Sequence, residues 1–168
     1  MSARHHKKQA PKLVTLGILT ISSTRTLSDD KSGNWMAELA RKEGHKVVHR
    51  EVIPDDKAAI TKAVSATISQ KEPDVMILTG GTGISPRDVT IEAVKPLLSK
   101  ELSAFGPIFA QLSWEEIDSA ALLSRAVAGV VQSTVIFCIP GSLNACKLAC
   151  KALIFPELGH VVKHVGEP

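Results

Sequence analysis

The sequence has 168 residues, 44% of them apolar and 22% charged, with a formal net charge of +3 at pH 7. Such proportions exclude a disordered or fibrous chain, and at this length roughly 70% of the unfolded surface is buried on folding. With no Tyr, four Phe and two Trp, and with Arg4, Lys7, Lys8 and Lys12 crowded at one end beside His5 and His6, neither the stacking groups nor the basic stripe of a nucleic-acid binder is present. Residues 1–12 read as a basic, solvated tail and 13–168 as one domain.

In chain order, the nearly continuous apolar run Leu13 to Ile21 predicts a central strand covered on both faces. It is too short to span a bilayer and no secretory cleavage site follows it. Asn34 to Glu43 sets Trp35, Met36, Leu39 and Ala40 on one helical face, with Gly44 placed for a left-handed cap. Lys46 to Ile53 reads as a second strand, ended by Pro54. Asp55 and Asp56 then either cap the next helix, which runs to about Gln70, or contribute a carboxylate to a metal site. Asp74 to Thr79 is a third buried strand, leading into Gly80-Gly81-Thr82-Gly83 and a helix capped by the Thr90 hydroxyl. Leu102 to Val131 reads as two helices, punctuated by Gly106-Pro107 and Gly129. Thr134 to Ile139 is a further strand, ended by Pro140-Gly141-Ser142, and a final long helix carries Leu143, Cys146, Cys150 and Leu153 on one side.

Strands alternating with helices predict an α/β fold of three layers, a mostly parallel sheet with helices on both faces. Such sheets bind ligands beyond the carboxyl ends of their strands. There the polar residues collect: 22–33, Pro54-Asp55-Asp56, 80–90 and 140–144.

Gly80-Gly81-Thr82-Gly83 leaves a strand, and glycines let successive N–H groups turn toward an anion. No Gly-Lys-Ser/Thr follows, so this is no Walker A loop, and Pro86 replaces the third glycine of a dinucleotide fingerprint. Taken alone, the cluster is equally a tight turn. Arg87, Asp88 and Thr90 add a cation, a carboxylate and a hydroxyl, and Asp88 either holds Mg²⁺ or caps a helix. Pro140-Gly141-Ser142 opens a helix whose N-terminus either caps itself or meets a phosphate or polar ring.

The stretch Gly80 to Ala93 (GGTGISPRDVTIEA) resembles the signature loop of the MogA, MoaB and gephyrin G-domain family. Ser28-Asp29, Ser32-Gly33, Ile53-Pro54-Asp55, Ala104-Phe105-Gly106, Leu123-Ser124-Arg125-Ala126 and Pro140-Gly141-Ser142 resemble further family motifs in order, and 112–129 is similar to the MoaB branch. Ile91 stands where many MogA-type loops have Pro.

The resemblance implies Mg²⁺- and ATP-dependent adenylylation of molybdopterin. Gly80, Gly81, Thr82 and Gly83 would contact phosphates, and Asp55 and Asp88 would serve Mg²⁺ and catalysis. Thr90, Gly141, Ser142 and Asn144 would hold the ligands, with Ser22 and Ser23 at the first strand's end touching either one. Within the MoaB branch an alternative is a non-catalytic molybdopterin carrier or assembly protein, and a third reading is a nucleotide-binding regulatory module. The family also implies a homo-oligomer, trimer or hexamer, and contact with other cofactor-biosynthesis proteins.

Three cysteines without a Cys-x-x-Cys suggest reduced thiols and a cytoplasmic location, and Cys146 and Cys150 read as small core residues. His160 and His164 have the spacing of a zinc pair but lack the glutamate of His-Glu-x-x-His, with Val161 in its place, so they read as a solvated helix end. Glu115 and Glu116 are adjacent and diverge on a helix, a poor acid and base pair.

Overall fold

A computed structural model describes residues 11–167, so positions 1–10 of the expected tail lie outside the described residues. The elements are β1 (Thr15–Ile21), α1 (Lys31–Lys42), β2 (Lys46–Ile53), α2 (Lys57–Lys71), β3 (Val75–Thr79), α3 (Thr90–Val94), β4 (Lys100–Glu101), α4 (Phe105–Ile117), β5 (Val127–Val131), β6 (Thr134–Ile139), α5 (Leu143–Ala149) and α6 (Leu158–Val165). The six strands form one sheet in the order β2-β1-β3-β6-β5-β4. β2, β1, β3 and β6 pair in parallel, and β5 runs against both of its neighbours.

The period of two in β3 builds the layers. Val75 and Ile77 pack with Met36 and Ala40 of α1, Phe109 of α4, Cys146 of α5 and Leu158 of α6, while Met76 and Leu78 face Ile60, Val64 and Ile68 of α2 and Val94 of α3. All five β3 residues are buried, as a strand covered on both faces requires. Each fully buried Leu or Ile there contributes about 1.5–3 kcal/mol.

Local signals explain most boundaries. Asp30 caps α1 by accepting from the Gly33 N–H at 2.9 Å, so the helix begins at Lys31, three residues before the expected Asn34. Asp56, not Asp55, caps α2, its carboxylate accepting from the Ala59 N–H at 2.8 Å. Gly44 takes the expected left-handed conformation, φ +84°.

Two expectations are corrected. The second helix expected within 102–131 is replaced by a 3₁₀ run (Asp118–Leu123) and strand β5, which with β6 forms a hairpin through Gln132 and Ser133. Val-Ala-Gly-Val-Val is suited to a strand, and Gly129 is no helix end, since a Cβ there would strike the Lys100 carbonyl across β4. The final helix is not continuous either. Beyond α5 come a π turn (Cys150–Ile154) and a 3₁₀ turn (Phe155–Glu157) in which Pro156 lacks the N–H a continuing helix needs.

Cys138, Cys146 and Cys150 are buried free thiols, and burial pushes the pKa of each up, which leaves them unreactive packing groups. Among the described residues no helix is long and apolar enough to cross a membrane.

Candidate functional site

The carboxyl ends of β1, β2, β3 and β6 meet at one rim, where an open cleft of about 340 Å³ is lined by Ser22, Thr24, Arg25, Asp55, Gly80, Gly81, Thr82, Gly83, Asp88, Leu123, Ser124, Pro140 and Gly141. Backbone bonds tie the rim together: the Ser22 N–H donates to Ile53 O at 2.8 Å, and the Gly80 N–H to Ile139 O at 3.0 Å. The strand order reverses between β1 and β3, the switch point at which open α/β sheets leave a crevice.

The glycine loop has the form an anion cradle needs. Gly80 and Gly81 adopt φ +100° and +63°. A Cβ on Gly80 would strike the Ile21 carbonyl, and one on Gly81 the Thr90 hydroxyl oxygen. Among the described residues, no acceptor engages the N–H groups of Gly81, Thr82 or Gly83. Consecutive donors on a loop beginning with positive φ are the arrangement from which anion-binding concavities are built.

Thr90 acts beneath the loop. Its hydroxyl, expected as a helix cap, instead donates to Gly80 O at 2.8 Å, its N–H donates to Gly81 O at 2.9 Å, and its side chain is fully buried. Buried hydroxyls seek a partner, and here the carbonyl that the glycine turn leaves open supplies it. Thr82 is also buried, and the Arg125 Nε donates to its carbonyl at 2.9 Å. The Arg125 Nη1 donates to Glu92 Oε1 at 2.7 Å, and this bond holds the Glu92 carboxyl below its ordinary pKa of 4.5. The loop is thus braced from two sides.

Asp55 and Asp88 both line the cleft. Asp55 Oδ2 accepts from the N–H and hydroxyl of Ser23 at 2.7 and 2.8 Å, and the Asp55 N–H donates back to Ser23 Oγ at 3.0 Å. Asp88 Oδ2 accepts from the Ser85 N–H at 2.9 Å, so Asp88 shapes its own turn and does not cap α3. In each carboxylate Oδ1 accepts no bond among the described residues. That suits Mg²⁺, which takes one or two carboxylates and completes its shell with phosphate oxygens and water. Among the described residues no group of three or more His, Cys, Asp or Glu forms an all-protein metal cluster.

The remaining expected residues divide. Gly141 lines the cleft, and its Cα–H side faces Gly80 so closely that a Cβ would lie 3.0 Å from the Gly80 Cα. Ser142 caps α5, accepting from the Ala145 N–H at 3.2 Å, and with Asn144 it lines an adjoining hollow of about 110 Å³ that shares Ser124 and Pro140 with the cleft. Ser23 positions Asp55. Sequence reasoning assigned no role to Thr24, Arg25, Ser124 or Arg125. Ser124 and Arg125 belong to a recognisable motif, but what brings them to the rim is the 3₁₀ run before β5, in a stretch whose pattern predicts helix.

Comparison with known proteins decides the family. The profile described as "Probable molybdopterin binding domain" matches residues 17–160. Molybdenum cofactor biosynthesis protein B of Bacillus subtilis (strain 168) is 48% identical over 166 residues, 98% of each chain. The chain belongs to the MoaB/MogA family. A crystal structure of a molybdenum cofactor biosynthesis protein B superposes with TM-score 0.90 at 49% identity, covering 94% of this chain and 98% of that one. The tungsten cofactor synthesizing protein MoaB from Pyrococcus furiosus superposes with TM-score 0.84 at 40% identity, covering 94% and 100%. For this MoaB/MogA member the role is molybdenum cofactor biosynthesis.

Proposed function

We infer that the protein transfers the adenylyl group of ATP to molybdopterin with Mg²⁺. The observation that carries this reading is the meeting of unengaged loop amides and two carboxylates in one cleft that adjoins a second hollow. In the reaction an oxygen of the pterin's terminal phosphate forms a bond to the α-phosphorus of ATP. The bond from that phosphorus to the bridging β-phosphate oxygen breaks, and pyrophosphate leaves. The attacking phosphate carries about −1.5 to −2 charge near neutral pH and needs no general base.

The work of this chain is therefore placement and charge. The Gly81, Thr82 and Gly83 amides would hold the triphosphate, with Arg25 as a cation lining the same cleft. Asp55 and Asp88 would hold Mg²⁺, which when bound neutralises phosphate charge that would otherwise keep two anionic substrates apart. Ser142 and Asn144 would receive the pterin in the adjoining hollow. Pyrophosphate released by purified protein given molybdopterin and Mg-ATP, with formation of the adenylylated pterin, is the expected result. Pterin binding without any adenylylated product would replace the enzyme reading with that of a carrier.

Self-association and a cytoplasmic setting belong to the same proposal. Trp114, Ile117, Leu122 and Leu123 are exposed along the end of α4 and the 3₁₀ run after it, an apolar face that monomers seldom leave uncovered. Sedimentation is expected to give a trimer or hexamer, and a monomer at micromolar concentration would remove this part of the proposal.

A further inference from the structure

Away from the cleft, α6 brings together two imidazoles at what its sequence predicts to be a solvated helix end. His160 Nε2 and His164 Nε2 lie 3.0 Å apart, with ring centroids 4.8 Å apart. Each ring is backed by a carboxylate at its other nitrogen: His160 Nδ1 contacts Glu157 Oε2 at 2.8 Å, and His164 Nδ1 contacts Glu167 Oε2 at 3.1 Å. A carboxylate accepts only, so each Nδ1 is the donor in its pair. In a neutral ring the proton then sits on Nδ1 and the lone pair on Nε2. Two lone pairs therefore face each other, an arrangement that repels unless a cation is shared between them.

We propose that His160 and His164 form a two-nitrogen site for a late divalent transition metal such as Cu²⁺ or Ni²⁺. Carboxylate, imidazole and metal in series is the usual support for a histidine ligand, because the carboxylate fixes the tautomer and raises the basicity of the ligating nitrogen. The spacing fits as well. Nitrogens 3.0 Å apart, each about 2.1 Å from one ion, subtend an angle of about 90° at the metal, the relation of neighbouring ligands in the tetragonal geometry of Cu²⁺ and Ni²⁺. His160 is partly buried and His164 is half exposed, so an ion can reach the pair from solvent. The site uses imidazole nitrogen, whereas the cleft offers carboxylate oxygen, and the two select different metals.

Titration of the full-length protein with CuCl₂ or NiCl₂, followed by calorimetry and, for copper, by electron paramagnetic resonance, tests this. One ion per chain and hyperfine structure from two nitrogens are expected. His160→Ala and His164→Ala should each remove that signal, while Glu157→Gln and Glu167→Gln should weaken binding about 10–100-fold. All four variants should match the parent in circular dichroism. His5→Ala/His6→Ala controls for the two adjacent histidines near the N-terminus. Copper binding that persists in His160→Ala/His164→Ala, or that vanishes in His5→Ala/His6→Ala alone, overturns the assignment. Absence of any metal uptake also overturns it, leaving a shared proton as the cation between the rings.

Discussion

Asp88→Asn is expected to lose about 10²–10³ in kcat for pyrophosphate release, the loss typical when one preorganised electrostatic element is removed from a transition state. The substitution is chosen over alanine for a structural reason. Asp88 Oδ2 accepts from the Ser85 N–H and sits against Gly83, where a Cβ would approach it to 2.7 Å. An asparagine oxygen can keep that turn, so the loop retains its shape while the negative charge is lost. The fall should appear in kcat with a smaller change in KM, since metal charge on the phosphates matters most as the pyrophosphate departs. Asp55→Asn should behave alike and not additively, because the two would act on one ion. An Asp88→Asn enzyme with parental kcat would exclude Asp88 as a metal ligand.

The parts of the fold that could be read from sequence are those dictated by local chemistry. The buried runs of β1, β3 and β6, the Gly44 cap and the carboxylate cap of α2 each follow from a few adjacent residues. The misread region, 102–131, depends on a partner distant in sequence. Val127–Val131 becomes a strand because β6 offers it an edge and β4 covers the other side, and Gly129 is needed for that close approach. The same limit applied at the site. Asp55, Asp88 and the glycine loop stood out as residue types after strands. Arg125 did not, because its reach to Thr82 O spans 43 positions, and the Thr90 hydroxyl, at a position suited to a helix cap, turns instead to Gly80 O, a partner ten residues away.

Asp30→Ala is expected to destabilise the protein by about 3–5 kcal/mol, the usual cost of breaking a buried ion pair from one side. Asp30 is 1% exposed. Its Oδ2 accepts from the Thr20 hydroxyl at 2.7 Å and from Arg50 Nη2 at 3.1 Å, while Oδ1 caps α1 through Gly33. Arg50 has little else to rely on: Nη1 donates to Asn34 Oδ1 at 2.7 Å, and its buried Nε has no partner among the described residues. Alanine would thus strand a guanidinium that is only 17% exposed and uncap the helix at once. At about 2–4 °C per kcal/mol for a chain of this size, the melting midpoint should fall by roughly 6–20 °C. Removing the orphaned charge as well, in Asp30→Ala/Arg50→Met, should recover part of that loss, as buried pairs replaced by apolar groups often do. The consequence reaches the cleft, because Asp30 anchors the far end of the loop that carries Ser22 and Arg25, and Ser32 donates from that segment to Gly141 O at 3.0 Å. Asp30→Ala should therefore weaken nucleotide binding well below its melting temperature. A variant that melts within about 2 °C of the parent would show that the pair contributes little and that the loop is held by its backbone alone.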